Sequence, residues 1–231
     1  MEAKEFVTAV ITAMTDGERP YVDAAISVAS SDPCIRQIIV CVSEDNHWIG
    51  NPEGVELLLL PLLPVGAVRN RAVERARYPW VAFCDGDDFW LPDKTSVQLR
   101  AAESGASIIG ACHYLIDEDG VTRANGFAKI IPMPSSWLIR RSLMLEIPFN
   151  ESITQGDDVE WWGRAKHCHR ARCPERLIKY RVREVSLSRA TFTKKRKLFF
   201  VKLAQKPLLG LPIYFLTWLR WLSLWGKRSY S

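Results

Sequence analysis

The sequence predicts an α/β protein whose mainly parallel central sheet is flanked by helices. Three observations carry that expectation. Short apolar runs rich in β-branched residues recur along the first half, helical spacing fills the gaps between them, and the runs are apolar on both faces. A strand buried on both faces belongs to a parallel sheet covered by helices.

The first strand is expected over 6–12 (FVTAVIT), the second over 37–43 (QIIVCVS), the third over 55–60 (VELLLL) and the fourth over 80–84 (WVAFC). Helices are expected over 21–29, 68–77 and 94–103, where apolar residues return every third or fourth position. A further strand reads over 107–116 and closes on the turn DEDG. Beyond it the pattern loosens. SSWLIRRSLM is a short strand or a helix start, FNESITQGDD a polar loop, 159–166 a helix and 176–182 a strand.

Composition sets bounds. The 231 residues are 48% hydrophobic and 25% charged, enough for a substantial core and unlike a disordered chain. The N-terminal MEAKEFVTAVITAM carries acids where a signal peptide has bases, so the N-terminal domain is expected to stay in the cytoplasm. The six cysteines are scattered, several of them in strand-like runs, which suits free thiols in a reducing compartment. His167, Cys168, His169 and Cys173 match no usual zinc spacing; they read as a helix-to-strand turn.

The net charge of +5 is unevenly spread. Residues 190–231 hold nine Lys and Arg and no acid, leaving 22 bases against 26 acids before them. Two units are therefore expected: an acidic α/β domain over 1–189 and a basic, Trp-rich amphipathic helical tail over 190–231. Trp218, Trp221 and Trp225 share one helix face, and Arg220, Gly210 and Pro212 interrupt the apolar stretch between Lys206 and Lys227. That pattern favours a helix lying in an anionic membrane surface through 194–228, with a spanning helix as the alternative. The dense Trp and Leu argue against nucleic acid.

In open α/β sheets, ligands sit at the carboxyl ends of the strands. There, after the fourth strand, stand Asp85, Asp87 and Asp88 in CDGDDFWLPDK. Three adjacent carboxylates need a counter-charge, and hard oxygen ligands so spaced suit Mg²⁺ or Mn²⁺ with a substrate phosphate. A solvated turn with a helix cap is the bland alternative.

CDGDDFWLPDK resembles the L-D-S-D-D-x-W-x-P-x-K motif of the family 2 glycosyltransferases, which have the GT-A nucleotide-diphospho-sugar transferase fold. GAVRNRAVERARYPW is similar to that family's G-x-x-x-A/R-R-N-x-G-x-x-x-A stretch, FNESITQGDDVEWWGRA to its F-D-E-x-(loop)-E-D-x-D-x-W segment, and YRVREVSLSR to its Y-R-x-H-x-x-S-x-S stretch. The resemblance covers residues 5–189, with four motifs in order.

It implies transfer from a nucleotide diphosphate sugar, UDP-linked, to an envelope glycan or lipid-linked acceptor, with inversion. Asp87 becomes the metal ligand, with Asp85 and Asp88 beside it. Asp85, Thr12, Glu44, Asp45, Arg69 and Arg183 become nucleotide contacts, although a solvent-facing Arg69 is the alternative. Asp158 becomes the general base and Asp157 orients the acceptor, unless both merely cap the helix next to them. Departures stand at 12–16 (TAMTD for P-x-Y/F-N), at 43–46 (SEDN for D-D-G-S) and at Arg183, where the family has histidine. Arginine there suits bidentate phosphate binding. Two other classes remain in view: a nucleotidyltransferase, whose glycine-rich loop TAMTDGERP lacks, and an inactive sugar-nucleotide or membrane-binding scaffold.

Overall fold

The computed structural model describes residues 5–45, 52–126 and 133–183. The chain divides into two units at Val182/Arg183. All the strands and helices described belong to the first unit, and of the second only Arg183 is described. The tail lies outside the described residues.

The elements run β1 (Val7–Ala13), α1 (Val22–Ser31), β2 (Ile35–Ser43), β3 (Val55–Leu60), α2 (Val65–Arg75), β4 (Trp80–Asp85), β5 (Phe89–Trp90), α3 (Lys94–Ala102), β6 (Ile108–Ile116), β7 (Thr122–Gly126), β8 (Leu138–Arg140), α4 (Arg141–Glu146), α5 (Asp157–Arg164) and β9 (Arg170–Arg181). The strands form one mixed sheet ordered β3-β2-β1-β4-β8-β6-β9-β5, with β7 paired to β6. The four N-terminal strands are parallel, β8 opposes both β4 and β6, and β9 returns parallel to β6.

The alternation of strand side chains sorts the core into two layers. Val7, Ala9 and Ile11 of β1 pack with Val22, Ala25, Ile26 and Ala29 of α1. Val10 of β1, Ile39 of β2 and Phe83 of β4 pack with Val68 and Ala72 of α2, with Leu143 of α4 and with Trp161 of α5. In β1 all seven residues are buried, which is why that run lacks polar alternation.

Several boundaries shift by one to three residues, the short strands β5 and β7 lie outside the expected elements, and three further differences have a local reason. SSWLIRRSLM is both things in succession: a 3₁₀ turn at Pro134–Ser136 leads to β8, which passes directly into α4. The last strand begins at Arg170, six residues earlier than expected. Its register against β6 shifts around Cys112, where Cys173 and Arg176 flank an unpaired Pro174–Glu175 bulge, and that proline breaks the strand pattern in the sequence. The third is α5, which begins at Asp157, so the two aspartates occupy its first turn instead of preceding it. A 3₁₀ turn at Ala165–His167 ends at His167, Cys168 and His169 lead from it into β9, and all six cysteines are free thiols.

Candidate active site

At the carboxyl end of β4 the chain reverses through Asp85-Gly86-Asp87-Asp88. The Gly86 amide donates to the Thr12 carbonyl at 2.8 Å and the Asp88 amide to the Asp85 carbonyl at 2.9 Å. A side chain at Gly86 would put its Cβ 2.9 Å from the Thr12 carbonyl oxygen, so the turn lies against β1 only because residue 86 has none.

The counter-charge for this turn comes from one arginine. Arg69, on α2, is 3% exposed. Its Nη2 donates to Asp85 Oδ1 at 2.6 Å and its Nη1 to Asp157 Oδ2 at 3.0 Å. The solvent-facing alternative is thereby excluded. The guanidinium also lies 5.9 Å from the Phe83 ring centre and 5.6 Å from that of Phe149. Burial works against its charge, but Asp85, Asp157 and Asp158 more than compensate and hold its pKa above the ordinary value. Thr12 Oγ1 donates to Asp85 Oδ1 at 3.1 Å, and the Asp85 amide donates to Ser135 Oγ at 3.0 Å.

Arg181, at the end of β9, holds the other half of the turn. Its amide donates to Asp88 Oδ1 at 3.0 Å and its Nε to the Asp87 carbonyl at 3.0 Å. Its Nη1 reaches the carbonyls of Asp117 and Glu118, and its guanidinium stacks 4.0 Å over Tyr21. Asp88 is consequently turned inward, with its Oδ2 buried and lacking a hydrogen-bond partner among the described residues. Burial first, then repulsion from Asp85 and Asp87, pushes its pKa well up, against the Ser135 hydroxyl and the Arg181 amide. Asp87 remains half-buried on the turn.

Asp157 and Asp158 open α5 behind Gly156, whose φ of 80° lies in the left-handed region. The helix N-terminus favours negative charge there. Asp158 Oδ1 accepts from the Val159 amide at 2.8 Å, leaving Oδ2 unengaged among the described residues. Burial, followed by the charge of Asp157, raises the Asp158 pKa.

Of the residues expected at the site, Thr12, Arg69, Asp85 and Asp157 are joined by direct bonds, Asp87 and Asp88 share the turn, and Asp158 adjoins Asp157. Glu44 and Asp45 stand exposed after β2, and among the described residues neither side chain bonds to this cluster. Arg183 belongs to the second unit. Asn70 and Arg181 fall within the sequence motifs, but the motifs alone assign them no task, and Ser135 lies outside them. Arg181 meets its aspartates across more than ninety residues of chain, so no local pattern announces the pairing.

Residues 37–157 match the model of glycosyl transferase family 2. An uncharacterized glycosyltransferase of Methanocaldococcus jannaschii is 27% identical over 154 residues, which cover 58% of this chain; the chain spans about half, 52%, of that relative. Among solved structures, S. aureus TarS 1–349 in complex with UDP-GlcNAc superposes with a TM-score of 0.64 at 13% identity, covering 80% of this chain and 61% of that one. TarS 1–349 with UDP gives 0.60 at 12%, covering 77% and 60%. At such identities the likeness establishes the fold, a GT-A type architecture.

Proposed function

The chain belongs to glycosyl transferase family 2, and from that premise we propose that it moves a sugar from a UDP-linked nucleotide diphosphate sugar to a glycan or lipid-linked acceptor of the cell envelope, inverting the anomeric carbon. One observation supports the reading above the rest. Arg69 ties Asp85 of the acidic turn to Asp157 beside Asp158, so a donor-binding element and a carboxylate pair are held on opposite sides of one buried cation.

The chemistry is a single in-line displacement. The acceptor hydroxyl gives its proton to Asp158 Oδ2 as its oxygen bonds to the anomeric carbon. The bond from that carbon to the diphosphate oxygen breaks, and its electron pair leaves with the nucleoside diphosphate. A carboxylate whose pKa is raised is the better base for this step. Asp157, fixed by Arg69, orients the acceptor. Thr12, Glu44, Asp45 and Arg183 contribute nucleotide contacts.

Among the described residues no three acidic, His or Cys side chains converge on one point, so a divalent cation, Mn²⁺ or Mg²⁺, would rest on two carboxylates and the donor's own phosphates, for which Asp85 is suited because it spends only Oδ1 on Arg69 and Thr12. Asp87 and the second oxygen of Asp85 would hold it, with Asp88 supporting the turn from beneath. When bound, it would neutralise charge developing on the leaving diphosphate. The protein would work at the cytoplasmic face of the membrane, held there through 194–228.

TarS is bound to UDP and to UDP-GlcNAc in its solved structures, which makes UDP-GlcNAc the first of a panel of nucleotide sugars to assay here with Mn²⁺. Asp158→Asn should lower turnover by about 10²- to 10⁴-fold while donor affinity holds. In wild type, turnover should rise with pH through an acid limb displaced upward from the ordinary aspartate range of about 3.9, and the variant should lack that limb. A variant within a few-fold of wild type would remove Asp158 from the role. Binding of a nucleotide sugar with neither hydrolysis nor transfer would favour the inactive scaffold.

A further inference from the structure

Asn70 adjoins Arg69 on α2 and is also buried. Its Nδ2 donates to the Phe149 carbonyl at 2.9 Å, and its Oδ1 accepts from the Phe149 amide at 2.9 Å. A side-chain amide carries one donor group and one acceptor, so it pairs with both faces of a single peptide residue as a neighbouring strand would. Nδ2 also donates to Glu151 Oε1 at 3.1 Å, and Arg71 holds both Glu151 oxygens at 3.0 and 3.1 Å.

Phe149 is the entrance to the loop that ends at Gly156 and presents Asp157 and Asp158. Its ring is buried and stacked with Trp137 at 6.4 Å, edge-on to Phe83 at 6.1 Å and tilted against Trp161 at 5.8 Å. The helix backbone lies close against it, since a Cβ at Gly66 would stand 3.0 Å from Phe149 Cβ. The core therefore grips this residue by its side chain, and Asn70 grips it by its backbone. One step along the helix, Arg69 grips the far end of the same loop at Asp157 while touching Asp85.

We infer that Asn70 is a positioning residue for the base: with Arg69 it pins both ends of the loop 149–157 to α2, and thereby fixes Asp158 relative to the donor-binding turn. The inference rests on the reading of Asp158 as base. Removing one end of the clasp frees the loop entrance without touching Asp85 or Asp87. Asp158 then samples positions away from the acceptor hydroxyl, and a misplacement of about 1 Å is enough to cost about 10²-fold in rate.

The test compares full-length Asn70→Ala, Asp158→Asn and the double variant. Backbone hydrogen exchange in Asn70→Ala should accelerate over 148–158 and stay unchanged over 83–91. Titration with UDP and Mn²⁺ should give the wild-type affinity. UDP release from UDP-GlcNAc should slow by about 10- to 100-fold, and the double variant should be no slower than Asp158→Asn, because a lost base has no position to lose. A general structural defect would instead multiply the two losses. If Asn70→Ala does not fold, Glu151→Ala removes the outer half of the clasp at a half-exposed position and should show the same exchange pattern at smaller amplitude. Unchanged exchange over 148–158, or strictly multiplicative losses, overturns the inference. Full activity in Asp158→Asn overturns the underlying reading instead, and leaves the exchange result to judge the clasp.

Discussion

Lys94 shows how much this fold asks of one side chain. It opens α3 and is 1% exposed. Its Nζ donates to Gln98 Oε1 at 2.8 Å, lies 3.5 Å from the Trp137 carbonyl and sits 4.3 Å from the Trp90 ring centre. No carboxylate bonds to it among the described residues, and burial pulls its pKa down to about 8. An unfolded lysine keeps its proton to about pH 10.4. Between these values the unfolded chain binds more protons, so this group's contribution to stability must climb as pH rises from about 8 to about 10 and stay flat below. The climb should amount to about 3 kcal/mol. Buried thiols add a slope of opposite sign, since thiols of the unfolded chain ionise from about 8.5 while burial raises Cys41 to about 12 and Cys173 to about 11, so their contribution to stability falls as pH rises. Urea unfolding of Lys94→Met beside wild type isolates the lysine, because only the difference should carry its rise. A difference that does not change with pH would mean that Lys94 stays charged in the fold.

At the scale of elements, the acidic turn is the sensitive piece. It is fastened to β1 by the Gly86 amide, to α2 through Asp85, and to β9 through Arg181. Gly86→Ala forces its new Cβ to 2.9 Å from a backbone oxygen and 3.1 Å from both Ala13 and Glu18 Cβ. Backbone must move, and overpacking of this kind costs about 1–3 kcal/mol. The expected outcome is a matching drop in the unfolding free energy, with donor affinity falling more than turnover of bound donor. Wild-type donor affinity in this variant would mean that the turn does not hold the nucleotide sugar.

At the scale of the whole molecule, every described site residue except Arg183 lies in the unit 1–182. That unit has two core layers of its own. The tail's nine positive charges and its tryptophans lie beyond it, and each basic residue near an anionic surface contributes about 1 kcal/mol. We therefore expect a chain ending at Arg189 to fold, remain soluble and bind donor while losing sedimentation with anionic liposomes. High salt should release the full-length protein only in part if the tryptophans insert. Failure of the shortened chain to fold would assign the tail to the core.

The sequence by itself determined the parallel half of the sheet, its covering helices and the acidic turn at a strand end, because burial on both faces and helical spacing are local patterns. Family resemblance read from ordered motifs added the catalytic candidates Asp157 and Asp158. Hidden were the antiparallel insertion of β8, whose three residues are too few to show a period, and the bulge that lets β9 run past Pro174. The tertiary structure alone decided what neutralises the acidic turn. Arg69 supplies that charge from α2, Arg181 braces the backbone of the turn from β9, and the Asn70 clasp closes across seventy-nine residues of chain. Such pairings depend on which surfaces the sheet brings together, and a buried charge tolerates that burial only where its partner arrives with it.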